Sequence, residues 1–109
     1  MTDKILVFST CSSGEEAERI ARFLVDQRLA ACVTVAPRVR SFYRWEGAVE
    51  SAEEWLLIVK SSRSLFERLR LELQKVHSYE VPEIVAVSIA DGSANYLNWI
   101  DEELSKAGL

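Results

Sequence analysis

The sequence predicts an α+β domain, a βαββαβ sandwich closed by one more helix at the C-terminus, and two observations carry that prediction. Strand-like apolar runs and helix-period runs follow one another in that order along the 109 residues. Only the turn Glu46-Gly47-Ala48 separates the second and third strand-like runs, so those two pair antiparallel in a long hairpin instead of crossing over through a helix.

Lys4 to Thr10 (KILVFST) is β-rich and apolar, which makes strand one. Ser12, Ser13 and Gly14 break the run. Ser12 with Glu15, or Ser13 with Glu16, forms a capping box, and both glutamates suit the positive end of a helix dipole. Ala17, Ile20, Ala21, Leu24 and Val25 then recur at helical spacing, and helix one runs to about Arg28. Strand two begins over Ala31 to Val35, bends at Pro37 and resumes from Val39 to Trp45. Strand three follows over Val49 to Lys60. Ser64 with Glu67 reads as a second capping box, opening helix two on Leu65, Phe66, Leu69, Leu73 and Val76. His77 to Pro82 is a connection, extended at Val81 because a proline follows. Ile84 to Ile89 is strand four. Gly92 and Ser93 punctuate, and Ser93 caps a third helix with Tyr96, Leu97, Ile100 and Leu104 on one stripe. The order reads as a ferredoxin-like split-βαβ sandwich, four antiparallel strands with two helices on one face. A Rossmann-type parallel sheet suits the tight central hairpin less well.

No repeat, low-complexity tract or linker divides residues 1–109, so they form a single domain. A net charge of −4 gives no global attraction to nucleic acid or an anionic membrane. The longest apolar runs, such as Trp55 to Val59, are far too short to span a bilayer, and the start of the chain lacks the pattern of a secretory signal. A cytoplasmic protein is expected, with Cys11 and Cys32 reduced. Neither cysteine belongs to a CxxC pair, which speaks against structural zinc.

An antiparallel sheet with one wet face alternates apolar and polar residues. Here strands one, three and four are apolar on both faces. Two helices cover one side, and one short third helix is too small for the other. A homo-oligomer that shares the second face is expected.

Several segments, in order and spacing, resemble the CutA family. They are Arg28-Leu29-Ala30-Ala31-Cys32-Val33, Ser41 to Gly47 (SFYRWEG) with Glu50 and Lys60 after it, His77 to Ile84 (HSYEVPEI), and Tyr96 to Ile100 (YLNWI). Ser78 stands where that family usually has proline. The resemblance implies a ferredoxin-like homotrimer with hairpins reaching across neighbours, and a link to tolerance of divalent metals such as copper. It also implies an architecture like that of the PII signalling proteins, which bind small ligands between subunits.

Four constellations could carry chemistry. Cys32, His77 and Glu80 offer a thiolate, an imidazole and a carboxylate, a set suited to copper or another divalent metal ion. His77 is the only histidine, so its remaining ligands must be thiols, carboxylates or groups from neighbouring chains. Alternatively, Cys32 is buried in strand two and His77 caps helix two. Cys11, just before the start of helix one, is a second metal or redox candidate, since a helix N-terminus favours thiolate; otherwise it has no role. Tyr43, Trp45, Lys60, His77, Tyr79 and Glu80 could line a ligand cleft at the subunit boundary of a PII-like trimer, with Lys60 facing an anionic group, unless the aromatics simply fill that interface. Arg38, Arg40 and Arg44, with Phe42 between them, could enter a nucleic-acid groove, but the many hairpin glutamates argue against it and would pair with them. Phosphate loops, nucleophile elbows and HExxH are absent from the sequence. The reading is a non-enzymatic trimer that binds divalent metal, copper first. The alternative is a PII-like sensor, or a scaffold for a protein partner not yet identified.

Overall fold

The structure, a computed structural model, describes residues 2–105. Its elements are β1 (Lys4–Cys11), α1 (Gly14–Asp26), β2 (Cys32–Trp45), β3 (Ala48–Ser62), a 3₁₀ turn (Arg63–Leu65), α2 (Phe66–Val76), β4 (Val85–Ser88) and α3 (Ala94–Leu104). The sheet order is β2-β3-β1-β4, antiparallel throughout, which is the expected ferredoxin-like arrangement.

Alternation sorts the sheet into two faces. Ile5, Val7 and Cys11 of β1 and Leu57 and Val59 of β3 point inward, onto Ala17, Ile20 and Leu24 of α1 and Leu69 and Leu73 of α2. All of these are essentially inaccessible to solvent. The opposite face carries Leu6 and Phe8, Leu56 and Ile58, and Val85 and Val87, brought side by side by the β1–β3 and β1–β4 registers. On that face Val85 is 51% and Val87 46% exposed, and the other four are only partly buried. Helix α3 does not close the face. It packs Ile100 and Leu104 on Ala31 and Leu65, and Lys4 Nζ holds it through Asp101 at 3.1 Å.

The first capping signal is realised as a blend of the two expected pairs. Ser13 Oγ accepts from Glu16 N (3.1 Å), while the Glu16 carboxylate turns back to Ser12 N (3.3 Å). The second is not realised. A 3₁₀ turn intervenes, α2 begins at Phe66, Ser64 Oγ lies 3.2 Å from Ser62 Oγ, and Glu67 pairs with Arg70. Ser93 stands at the N-cap of α3 without a side-chain bond to the helix. Helix α1 stops at Asp26, and Arg28 turns the chain at φ 59°, the left-handed region, before Leu29 enters the core.

The bend at Pro37 is a bulge. Ala36 faces Leu56, but Val39 faces Glu54, so β2 inserts one extra residue and Arg38 takes φ 57°. The insertion reverses the parity of β2. Beyond it, Ser41, Tyr43 and Trp45 share a face with Glu54, and through Glu54 with Leu56 and Ile58. Arg40, Phe42 and Arg44 take the other side. The hairpin arginines do not pair with hairpin glutamates among the described residues: Arg40 bonds Ser51 Oγ and Arg44 the Gly47 carbonyl.

Candidate functional site

The bulge and the connection after α2 together make a cleft. It measures about 970 Å³ and lies between the outer half of the hairpin and residues 78–83. Tyr43 and Trp45 come from β2, Glu54 from β3, and Tyr79, Glu80 and Glu83 from the connection.

A chain of buried polar groups holds the connection in place. His77 is the C-cap of α2, and its ring is buried. Nε2 lies 2.8 Å from the Thr10 carbonyl, and Nδ1 accepts from Tyr79 N at 3.0 Å. Only a neutral imidazole protonated at Nε2 satisfies both bonds. The Tyr79 hydroxyl then donates to Glu54 Oε2 at 2.7 Å. Ser78 N donates to Glu16 Oε2 at 2.8 Å, and Gln74 Nε2 reaches the Glu80 carbonyl at 3.2 Å. Residues 77–80 are thereby tied to β1, α1, β3 and α2.

The electrostatics follow the geometry. Burial pushes the Glu16 carboxyl up, but the bonds from Ser78 and Ser12 more than offset it, so the group titrates below the usual glutamate value. The Tyr79 hydroxyl is pushed well above the ordinary tyrosine range, first by burial and then by its bond to Glu54. Burial, with the Glu16 charge added, pushes the Cys11 thiol up to about 12.

Comparison with known proteins places this arrangement. The family model described as CutA1 divalent ion tolerance protein matches residues 5–103. The chain belongs to the CutA1 family. It is 45% identical over 97 residues to a divalent-cation tolerance protein CutA of Thermus thermophilus, covering 89% of this chain and 94% of that one. A crystal structure of CutA from Xylella fastidiosa superposes with a TM-score of 0.92 at 41% identity, over 94% of this chain and 99% of the other. A structure described as the periplasmic divalent cation tolerance protein CutA of Archaeoglobus fulgidus gives 0.90 at 42% identity, over 93% and 98%. Among the described residues no helix is long and apolar enough to cross a membrane.

For a CutA1-family chain the question is which residues meet. Tyr43, Trp45, Tyr79 and Glu80 do share the cleft. Lys60 does not. It pairs with Cys32 across the hairpin, at the far end of β3, and its ammonium bonds Thr34 Oγ1 (2.6 Å) and approaches Cys32 Sγ (3.9 Å). Within one protomer six residues of strand separate Lys60 from Glu54, about 20 Å, so the two could share a cleft only across a subunit boundary. Cys32, His77 and Glu80 are likewise not gathered in one protomer. Thr10, where His77 anchors, pairs with Leu56, four residues along β3 from the partner of Cys32, about 13 Å. Both nitrogens of His77 are already engaged. Among the described residues no three His, Cys, Asp or Glu side chains cluster as a metal site.

The reading of Cys11 as an accessible thiolate is corrected too. The residue is the last of β1, not a loop residue, and is fully buried against α1. In a Cys32→Ser variant, whose only thiol is Cys11, Ellman's reagent at pH 8 should label nothing in the native protein and one thiol per chain in denaturant. Rapid native labelling would contradict the burial.

Sequence reasoning missed Glu54 and the second role of Glu16. Glu54 was legible, because its parity with Leu56 and Ile58 puts a charge on an otherwise apolar face. The dual role of Glu16 was not, because Ser78 lies 62 residues away.

Proposed function

We propose that the chain contributes to tolerance of divalent cations, copper first among them, as a non-enzymatic homotrimer of the cytoplasm. In this reading the metal is held by ligands from more than one protomer. Membership of the CutA1 divalent ion tolerance family carries the cation-tolerance part. The uncovered apolar face of the sheet supports the oligomer, since a patch holding Leu6, Phe8, Leu56, Ile58, Val85 and Val87 is one that soluble chains cover. Among the described residues one protomer closes no metal site, and both nitrogens of His77 are engaged. Cys32 is half-buried and shares the parity of Ile58 and Leu56 on the face that subunits would share, so soft sulfur ligands and carboxylates of different protomers could meet there. Isothermal titration with Cu(I) and Cu(II) tests this: binding by the wild type and its loss in a Cys32→Ala/Glu80→Gln variant are expected. Equal binding by the two proteins would remove the assignment.

The cleft favours a second reading, a PII-like sensor or scaffold that takes a small ligand beside the hairpin. It is large enough for one, with aromatic surface on one wall and a hydrogen-bonded tyrosine on the other. A ligand-induced rise in melting temperature that persists in chelator would favour this reading over the metal.

A further inference from the structure

The cleft carries a charge that one protomer does not balance. Glu54 is 8% exposed. One of its oxygens takes the Tyr79 hydroxyl, and among the described residues the other has no hydrogen bond and no cation stands within ion-pair distance of the carboxylate. That second oxygen is not sealed from solvent, so the carboxylate is open to the cleft and can take a cation that enters it. The rest of the lining points the same way. Glu80 and Glu83 add two further acids, no lysine or arginine lines the space, and the aromatic residues Tyr43 and Trp45 are 45% and 64% exposed. Aromatic faces with carboxylates around a void suit a planar or alkylated cation, which gains both cation–π attraction and charge pairing. A phosphate or carboxylate ligand would meet three carboxylates and no cationic donor.

We infer that this cleft binds an organic cation of the guanidinium or alkylammonium class, its charged head on Glu54 and its body against Tyr43 and Trp45. The inference rests on the second reading above and gives it a ligand class, opposite in sign to the one expected when Lys60 was placed in the cleft. The cation has two possible sources, a free small molecule or an arginine of a second copy of this chain. The hairpin offers Arg38, Arg40 and Arg44, none of them in an ion pair among the described residues.

Agmatine serves as the probe, inorganic phosphate as the anionic control, and isothermal titration as the readout. The proteins compared are wild type, Glu54→Gln, which keeps an acceptor for Tyr79, Trp45→Ala, Tyr43→Ala/Trp45→Ala, and Arg38→Ala/Arg40→Ala/Arg44→Ala with and without Glu54→Gln. Agmatine binding by the wild type, weakened at least tenfold by Glu54→Gln and by Trp45→Ala, supports a free cation. Binding that appears only in the triple arginine variant, and is lost when Glu54→Gln is added, supports an arginine from a second copy. Absence of Glu54-dependent agmatine binding in both backgrounds overturns the inference. If phosphate then binds and is lost in Tyr43→Ala/Trp45→Ala, the cleft remains a ligand site and only the cation assignment falls; if neither probe binds, the cleft reading falls with it.

Discussion

Replacing Val85 and Val87 together by aspartate is expected to convert the proposed trimer into a folded monomer. Both side chains are about half exposed in the protomer, so the change removes little that the protomer's own core uses. The cost to the strand itself is at most about 1 kcal/mol per residue, the span of measured β preferences. The cost to an assembly packed on that face is far larger. Val85 stands opposite Phe8 and Val87 opposite Leu6 in the β1–β4 register, in the middle of the uncovered apolar patch. Two carboxylates there would have to leave water without partners, several kcal/mol each. Sedimentation equilibrium at micromolar concentration should give three chain masses for the wild type and one for the variant, with an unchanged far-ultraviolet circular dichroism spectrum. A variant that still sediments as a trimer would mean that β4 faces solvent in the assembly and that the subunits meet elsewhere.

That face was readable in the sequence because it rests on period-2 alternation alone. Leu6 and Phe8, Leu56 and Ile58, and Val85 and Val87 are apolar at positions whose neighbours are already committed to the core, so strand parity was enough to find them. The order of elements was readable for the same reason, and the bend at Pro37 because proline cannot donate to a ladder. The cleft was legible only in part. Tyr43 and Trp45 reach Glu54 because one inserted residue reverses the parity of β2 beyond Ala36, and nothing in composition states whether a bend keeps parity or flips it. Lys60 stands at the other end of the 15-residue β3 from the cleft, and within one protomer the two do not meet. The Ser64 cap failed because Ser62 to Leu65 first make a 3₁₀ turn, a choice made by where β3 ends. His77 was a reasonable metal ligand on residue type, and its two bonds, to Thr10 and Tyr79, are ones that only the folded chain reveals.

Removal of the Glu16 side chain should cost the protomer more than any other single polar change. The carboxylate is 6% exposed and takes three donors, Ser12 N and Oγ at 3.3 and 3.4 Å and Ser78 N at 2.8 Å. Glu16→Ala strands two backbone N–H groups, one at the start of α1 and one in the cleft wall, so a loss of about 3 kcal/mol is expected at neutral pH from two unsatisfied buried donors. The effect must depend on pH with a definite sign. The carboxyl titrates below its ordinary value of 4.5 in the folded protein. Its contribution is therefore complete above the unfolded value and fades as pH falls through the folded one. Chemical denaturation across pH 3 to 7 should show the wild type losing stability below about pH 4.5 more steeply than Glu16→Gln, whose amide cannot titrate, with the two curves converging at the acid end. Parallel curves would show that the carboxylate's charge is not what Ser12 and Ser78 recognise. The same variant bears on the cleft. Ser78 is bonded to Glu16, and the next residue, Tyr79, sets the Glu54 carboxylate, so freeing Ser78 should loosen Tyr79 from Glu54 and raise the exposure of both. Hydrogen exchange at the Tyr79 amide, which is protected by His77 Nδ1 in the intact network, should then rise in Glu16→Ala while the amides of β3 around Leu57 stay protected. Protection at Tyr79 that survives the substitution would mean that His77 and Glu54 suffice to hold the connection, and would remove Glu16 from the account of how the cleft is built.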